Sequence, residues 1–197
     1  MKVLALELSS AVGSIAFCDE DETRDFRTFP ADRKDSRFFY ENLSTVYQAD
    51  GPADLIIVGL GPGSYAGVRI AIATALGLRE ASGARLRGLP SISAVDQDEY
   101  AFVGDARRSS FFFAHVVNGR CLEGPTLGSL AEIQAKVQEA RPLPIVATQP
   151  LVQFGQVSVE HPSALRLAQL GLQAKDEGDE TLEPIYLRAP YITTPRK

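Results

Sequence analysis

Residues 59–78 read GLGPGSYAGVRIAIATALGL, with three glycines and a proline crowded at the head and a single charge, Arg69, in the body. The apolar run DLIIV (54–58) leads into it. A glycine-rich link between a strand and a helix is a common phosphate cradle, so three such readings need testing. A P-loop requires G-x-x-x-x-G-K-[ST], and residues 59–78 contain no lysine. Gly61, Gly63 and Ala66 match the loose dinucleotide form G-x-G-x-x-A, but the next strand, RLRGL (85–89), brings no acid for a ribose, and the loop follows a fourth strand instead of opening the fold. A nucleophile elbow requires G-x-S-x-G, and GSYAG puts Tyr65 at the nucleophile's place. Gly61, Pro62, Gly63 and Ser64 are therefore read as loop structure. They lead tightly into a helix that runs from Ser64 to about Ser82 and ends at Gly83.

That helix has two apolar sides. Gly67, Ala71, Thr74, Ala75 and Leu78 form one; Ile70, Ala73, Gly77 and Ala81 form the other. A helix apolar nearly all round must be covered on more than one face, and small residues four apart admit a close neighbour. Two readings stay open. Either the helix lies flat on its own sheet beside a tight neighbour, or its second face meets another subunit, with Tyr65, Gly67, Val68, Arg69, Ala71, Ile72 and Ala75 as candidate interface residues. Arg69 needs a partner, across an interface or in a local acid such as Glu7 or Asp105, because a buried unpaired cation is costly.

Working outward, the chain alternates between short strands and helices. VLALEL, SIAFCD and TRDFRTF form a meander, followed by the polar link PADRKD and a helix from Ser36 to about Gln48 whose apolar face is Phe39, Leu43, Val46 and Tyr47. After the quoted helix come the strand RLRGL and a further helix starting at PSISAVDQ. From about Tyr100 the pattern begins again. YAFVGDA and SSFFFAHVV flank Arg107-Arg108, and Asn118-Gly119 is a two-residue hairpin turn because both positions tolerate positive φ. A helix from Ser129 to about Ala140, the strand LPIVAT and a last helix from about Ser163 to Lys175 complete it. Three strands, a helix and a strand thus occur twice, with a hinge near residue 98. The expected architecture is α/β, a two-lobed actin-like ATPase (ribonuclease H-like) fold, each lobe a mixed sheet with helices. Residues 1–98 form the N-terminal lobe with the glycine-rich loop, and residues 99–197 the C-terminal lobe.

Bulk properties narrow the functional classes. The 197 residues carry a formal net charge of −5 without a run of lysines or arginines, which argues against a protein that grips nucleic acid alone. Cys18 and Cys121 belong to no C-x-x-C pair and read as small buried hydrophobes in a reducing compartment. The first eighteen residues are cut by Glu7, Ser9 and Ser10 and read as strands, not as a signal peptide. No stretch is apolar enough to span a membrane, so the expected location is the cytoplasm.

Five segments in order resemble the bacterial TsaB (YeaZ) family: VLALELSSAVGSIAF, GPGSYAGVRIAIATALGL, GLPSISAV, GDARRSSFFFA and EPIYLRAP. The resemblance implies a two-lobed actin-like fold and a non-catalytic role in making tRNA threonylcarbamoyladenosine. It also implies pairing with a TsaD-like catalytic subunit and a TsaE-like ATPase, or a homodimer when alone. Contact with tRNA would come only through the complex, and ATP or ADP would belong to the complex interface. In the catalytic cousin two histidines four apart hold a metal; Ser91 and Val95 stand in those places here. The chain's two histidines, His115 and His161, lie far apart, a poor basis for a transition-metal site. No catalytic residue and no metal ligand is expected. The first helix, RKDSRFFYEN, lacks the histidine usual in the family, so no contact residue is carried over from it.

Other residues keep two readings. Glu7, with Ser9, Ser10 and Ser14, lines a nucleotide cleft, the acid holding a hydrated magnesium, or is a surface carboxylate at a strand end beside turn-forming serines. Asp105 and Arg107 either face that cleft or organise their own hairpin. His115, alternating with Phe113 and Val117, reads as core or cleft wall. Two other functions remain to be weighed: a self-contained actin-like ATPase or kinase, and a peptidase, after the glycoprotease label some relatives carry. The second lacks an elbow, an H-E-x-x-H or a Cys/His signature.

Overall fold

The computed structural model describes residues 1–19, 22–31, 35–173 and 181–188. Parts of the turn at 20–22, of the link at 30–35, the end of the last expected helix at 174–175, its acidic exit and the tail from 189 lie outside the described residues. In the first half, β1 (Lys2–Glu7), β2 (Val12–Asp19) and β3 (Glu22–Pro30) form the expected meander. α1 (Arg37–Asp50), β4 (Leu55–Gly59), α2 (Tyr65–Ser82) and β5 (Arg85–Leu89) follow. The second half contributes β6 (Glu99–Asp105), β7 (Ser110–Val117), β8 (Arg120–Ser129), α3 (Leu130–Ala140), β9 (Ile145–Ala147), β10 (Ser158–Val159) and α4 (Ala164–Gln173).

These strands make two five-stranded sheets, ordered β3-β2-β1-β4-β5 and β10-β9-β6-β7-β8. In each, the meander is antiparallel and the later strands join in parallel, so both sheets are mixed and share one topology. The expected two-lobed architecture is the one observed.

Side-chain alternation divides the core of the first sheet. Leu4, Leu6, Ile15, Phe17, Ile56 and Val58 point to α1 and α2, meeting Phe39, Leu43, Val46, Val68, Ala71 and Ala75. Val3, Ala5, Ala16 and Ile57 point the other way and meet Ala164, Leu167 and Ala168 of α4. The break at residue 98 therefore separates the sheets but not the packing: α4 belongs to the second half of the chain and covers the first sheet. In the second sheet, Ala101, Val103 and Phe113 face Ile133 and Val137 of α3. Its other face, with Tyr100, Phe102, Phe112 and Val116, is closed by Ile92 and Val95.

Local signals held at most boundaries. Ser64 caps α2 by accepting from the Gly67 amide, and Gly83 ends it in the left-handed region. Ser129 and Glu132 form a reciprocal capping box on α3. Asn118 and Gly119 have φ of 47° and 73°, as the hairpin turn requires. One expected helix is corrected. PSISAVDQ makes a single 3₁₀ turn, Ser91–Ser93, because its backbone groups are taken by distant partners. The Ser91 amide donates to Gly61 O, the Ser163 amide to Ala94 O, and the Tyr100 hydroxyl to Ile92 O. A continuing helix would need those carbonyls for itself.

Candidate functional site: the outer face of α2 and its lead-in loop

The loop between β4 and α2 turns its polar groups inward. The Leu60 amide donates to Leu89 O, the Gly61 amide to Ser91 Oγ at 2.9 Å, and the Ser64 amide to Ser9 O at 2.6 Å. Gly61 takes φ of 87°, which a side chain would resist. At Gly63 and Gly67 the constraint is contact: an added Cβ would stand 2.2 Å from Ser9 O and 2.0 Å from Leu8 O. The loop presses α2 onto the β1–β2 turn, and the amides at 60, 61, 64 and 67 are engaged by this chain's own oxygens. The cavity beside the N-terminus of α2, bordered by Leu8, Phe29, Phe39, Ser64 and Ile70, holds about 20 Å³, room for about one water. Loop amides so engaged are not free to hold a phosphate.

Among the described residues, α2 is packed into the core on one side only. Val68, Ala71, Ile72 and Ala75 are buried in the first lobe's core. Their assignment to a subunit surface is therefore corrected: the sheet already occupies that side. Gly67 is half-buried against Leu8. Tyr65 and Arg69 do face outward, and Ala73, Leu76, Gly77, Glu80 and Ala81 continue the exposed stripe down the helix. Tyr65 is 60% exposed and Leu76 42%, and a Cβ at Gly77 would meet nothing. A helix apolar nearly all round carries no amphipathic signal to say which side faces out, so sequence reasoning named residues of both sides, Tyr65 and Arg69 outward and the rest inward.

Arg69 finds neither Glu7 nor Asp105. Its Nε donates to the Tyr186 hydroxyl at 2.9 Å. Its guanidinium lies 4.3 Å from the Tyr65 ring centroid and 5.9 Å from that of Tyr186, and the two rings are 5.7 Å apart. Tyr186 arrives on the segment 181–188, which buries Leu182 in the first lobe's core and ties the Ile185 amide to Leu60 O. A cation held against aromatic faces is favourable even in water. Sequence reasoning missed Tyr186, which is 117 positions from its partner.

The residues nominated for a nucleotide cleft have structural partners. Glu7 is neither open to a cleft nor on the surface, being fully buried. Its Oε1 accepts the Ser9 amide at 2.6 Å, while Oε2 has no partner of ordinary hydrogen-bond geometry. Burial drives its pKa upward, against the pull of Ser9 and of the nearby Ser91 hydroxyl. Ser10 Oγ donates to Val12 O and meets His161 Nδ1 at 3.1 Å. Asp105 accepts the Arg107 amide and pairs with its guanidinium at 3.6 Å, organising the turn in which Arg107, Arg108 and Ser109 all have positive φ. No hydrogen bond or ion pair among the described residues joins Asp105 or Arg107 to Glu7, Ser9 or Ser10. His115, half-buried, meets Glu99 at 2.9 Å. Among the described residues no three His, Cys, Asp or Glu side chains are grouped to hold a metal. No described helix is long and apolar enough to cross a membrane.

With this geometry in hand, the chain can be set beside known structures. It superposes on YeaZ from Pseudomonas aeruginosa with a TM-score of 0.74 at 20% identity, covering 94% of this chain and 100% of that one. The fold is that of YeaZ. A second Pseudomonas aeruginosa structure, described as an uncharacterized protein with similarity to peptidase YeaZ, gives 0.75 at 21% identity over 95% and 99% of the two chains. The likeness seen in five segments thus holds for the YeaZ fold as a whole. No family model matches the sequence. Among curated proteins, an uncharacterized protein of Mycobacterium leprae is 32% identical over 83 residues, 41% of this chain and 23% of that relative. One from Mycobacterium tuberculosis is 30% identical over 83 residues, 41% of this chain and 39% of its own length. The match thus spans well under half of either relative.

Proposed function

We propose that this chain is a TsaB/YeaZ-type protein: a non-catalytic subunit that docks through the outer face of α2 onto a TsaD-like catalytic subunit making tRNA threonylcarbamoyladenosine. Support comes above all from the uncovered stripe Tyr65, Arg69, Ala73, Leu76 and Gly77 on a YeaZ fold. Tyr and Arg are the residue types that anchor interfaces, and the small residues below them let a partner helix approach closely. A nucleotide, in this reading, belongs to the joint with the partner, since Glu7 and Asp105 are engaged within this chain. The TsaE-like ATPase and tRNA join through the complex, and the same face pairs two copies when the partner is absent.

The test is co-elution of the full chain with the TsaD-like protein of its own host, and its loss on Leu76→Glu with melting temperature unchanged. Depletion of the chain should also remove the modified base. Undiminished binding by the variant, or undiminished modification where no second copy exists, would reject the reading. A self-contained ATPase or kinase finds less support, because its nominated acid, Glu7, is walled off from solvent.

A further inference from the structure

The buried carboxyl of Glu7 lies at the centre of the contacts that shape the lead-in to α2. On one side, Oε1 accepts the Ser9 amide; Ser9 O in turn accepts the Ser64 amide, and Ser64 Oγ accepts the Gly67 amide at 3.3 Å. On the other side, Oε2 lies against the backbone of Gly59, where a Cβ would stand 1.8 Å from it and 2.7 Å from Ser91 Oγ. Ser91 clasps Gly61 twice, accepting from its amide and donating to its carbonyl. One side chain thus touches both arms of the loop: Ser9 to Ser64 and Gly67, and Gly59 with Ser91 to Gly61.

Among the described residues no cation pairs with a charge at this place. β2 presents Ser14 opposite Glu7 in register, with its Oγ accepting the Ala164 amide at the start of α4. β4 presents Gly59, and the 3₁₀ turn presents Ser91. The cation of α2, Arg69, is held outward by Tyr65 and Tyr186. The β5 cation Arg87 directs Nη1 to Gly171 O, and His161 meets Ser10. Arg166 of α4 directs Nη1 to Gln169 Oε1 at 3.4 Å. An ionised carboxylate here would be a buried charge met by the Ser9 amide and by the Ser9 and Ser91 hydroxyls but by no described cation, a state a protein relieves by neutralising the group or letting water reach it.

We infer that Glu7 is a proton-carrying positioning residue: as the neutral acid it locks the 59–64 loop and the N-terminal turn of α2 against the β1–β2 turn, and losing the proton unlocks them. The balance is a single proton passing between the carboxyl and solvent as the loop opens. This goes beyond the docking reading, and its test needs no partner. Ionisation admits water between Gly59, Ser91 and the carboxyl, so the loop, not the sheet, gives way. The direction of the linkage follows from the raised folded-state pKa. The stabilising effect is complete below the unfolded glutamate pKa and is lost as pH rises through the folded value.

The experiment is amide hydrogen exchange on the full chain across pH 4.5–8, together with carbon NMR of the Glu7 carboxyl. The closed-state protection of Gly61, Ser64 and Gly67 should fall by up to about tenfold per pH unit across the titration, after correction for intrinsic exchange. Amides of β6 and β7 should show no such slope. Glu7→Gln, which keeps the shape and cannot ionise, should hold the loop at its low-pH protection throughout. The carboxyl resonance of the unmutated protein should titrate above an ordinary glutamate. A Glu7 midpoint at or below the ordinary value overturns the inference, as does loop protection with the same pH slope in the Glu7→Gln variant. The NMR titration decides the matter even where that variant fails to fold.

Discussion

The two sheets have the same strand order and are covered differently. The second is closed by α3 on one face and by the irregular 90s segment on the other. α3 behaves as an ordinary surface helix: Ile133 and Val137 go inward, while Ala131, Glu132, Ala135, Gln138 and Glu139 face water. The first sheet is covered by α1 and α2 on one face and by α4, taken from the other half of the chain, on the other. Its α2 also buries one side, yet its outward side reads Tyr, Arg, Ala, Leu, Gly, Glu, Ala. A shared topology therefore does not dictate a shared surface. What separates the lobes is that one helix ends in solvent and the other offers apolar and aromatic side chains beyond its own core.

That contrast can be attacked at several points. The largest effect should come from Gly67→Val, whose Cβ would stand 2.0 Å from Leu8 O. Backbone must shift, and a loss of about 3 kcal/mol or more in denaturant melts is expected, enough to unfold a marginal domain. Leu167→Ala next tests whether α4 belongs to the first lobe's core. Leu167 is fully buried, and removing it should cost about 2–5 kcal/mol, with exchange protection falling in β1 and β4 rather than in β6 and β7. In the second lobe, Ser129→Ala removes the α3 capping box and should cost about 1 kcal/mol. Gly77→Ala should go the other way. Its Cβ meets nothing, so the isolated chain should gain roughly 0.5–1 kcal/mol, whereas a partner helix packed on that spot would bind more weakly. Tyr186→Phe is the smallest, about 0.5 kcal/mol or less for an exposed hydrogen bond, and its readout is the order of the Arg69 side chain.

Legibility in the sequence followed the range of the forces involved. The caps at Ser64 and Ser129, the stop at Gly83 and the turn at Asn118-Gly119 could be read because each depends on dihedral preferences and hydrogen bonds within a few residues. The strand pattern was readable for the same reason, and a repeated order of elements is enough to suggest two lobes. The segment PSISAVDQ misled because its local signals favour a helix while Gly61, Tyr100 and Ser163 claim its backbone from elsewhere. Glu7 misled both readings of it, since an acid at a strand end gives no sign of being sealed beneath a glycine.

The sequence by itself determined most of the elements, most of their boundaries and a glycine-rich loop unable to serve as a P-loop, because these are set by the chain's own neighbours. Only the tertiary structure decided which side of α2 stays outside, where the Glu7 carboxyl is buried, that α4 crosses to the first sheet, and that Tyr186 closes over Arg69. Burial is shared out by contacts between residues up to about 150 positions apart, and an apolar helix with no polar face leaves that division open until the sheet beneath it has taken one side.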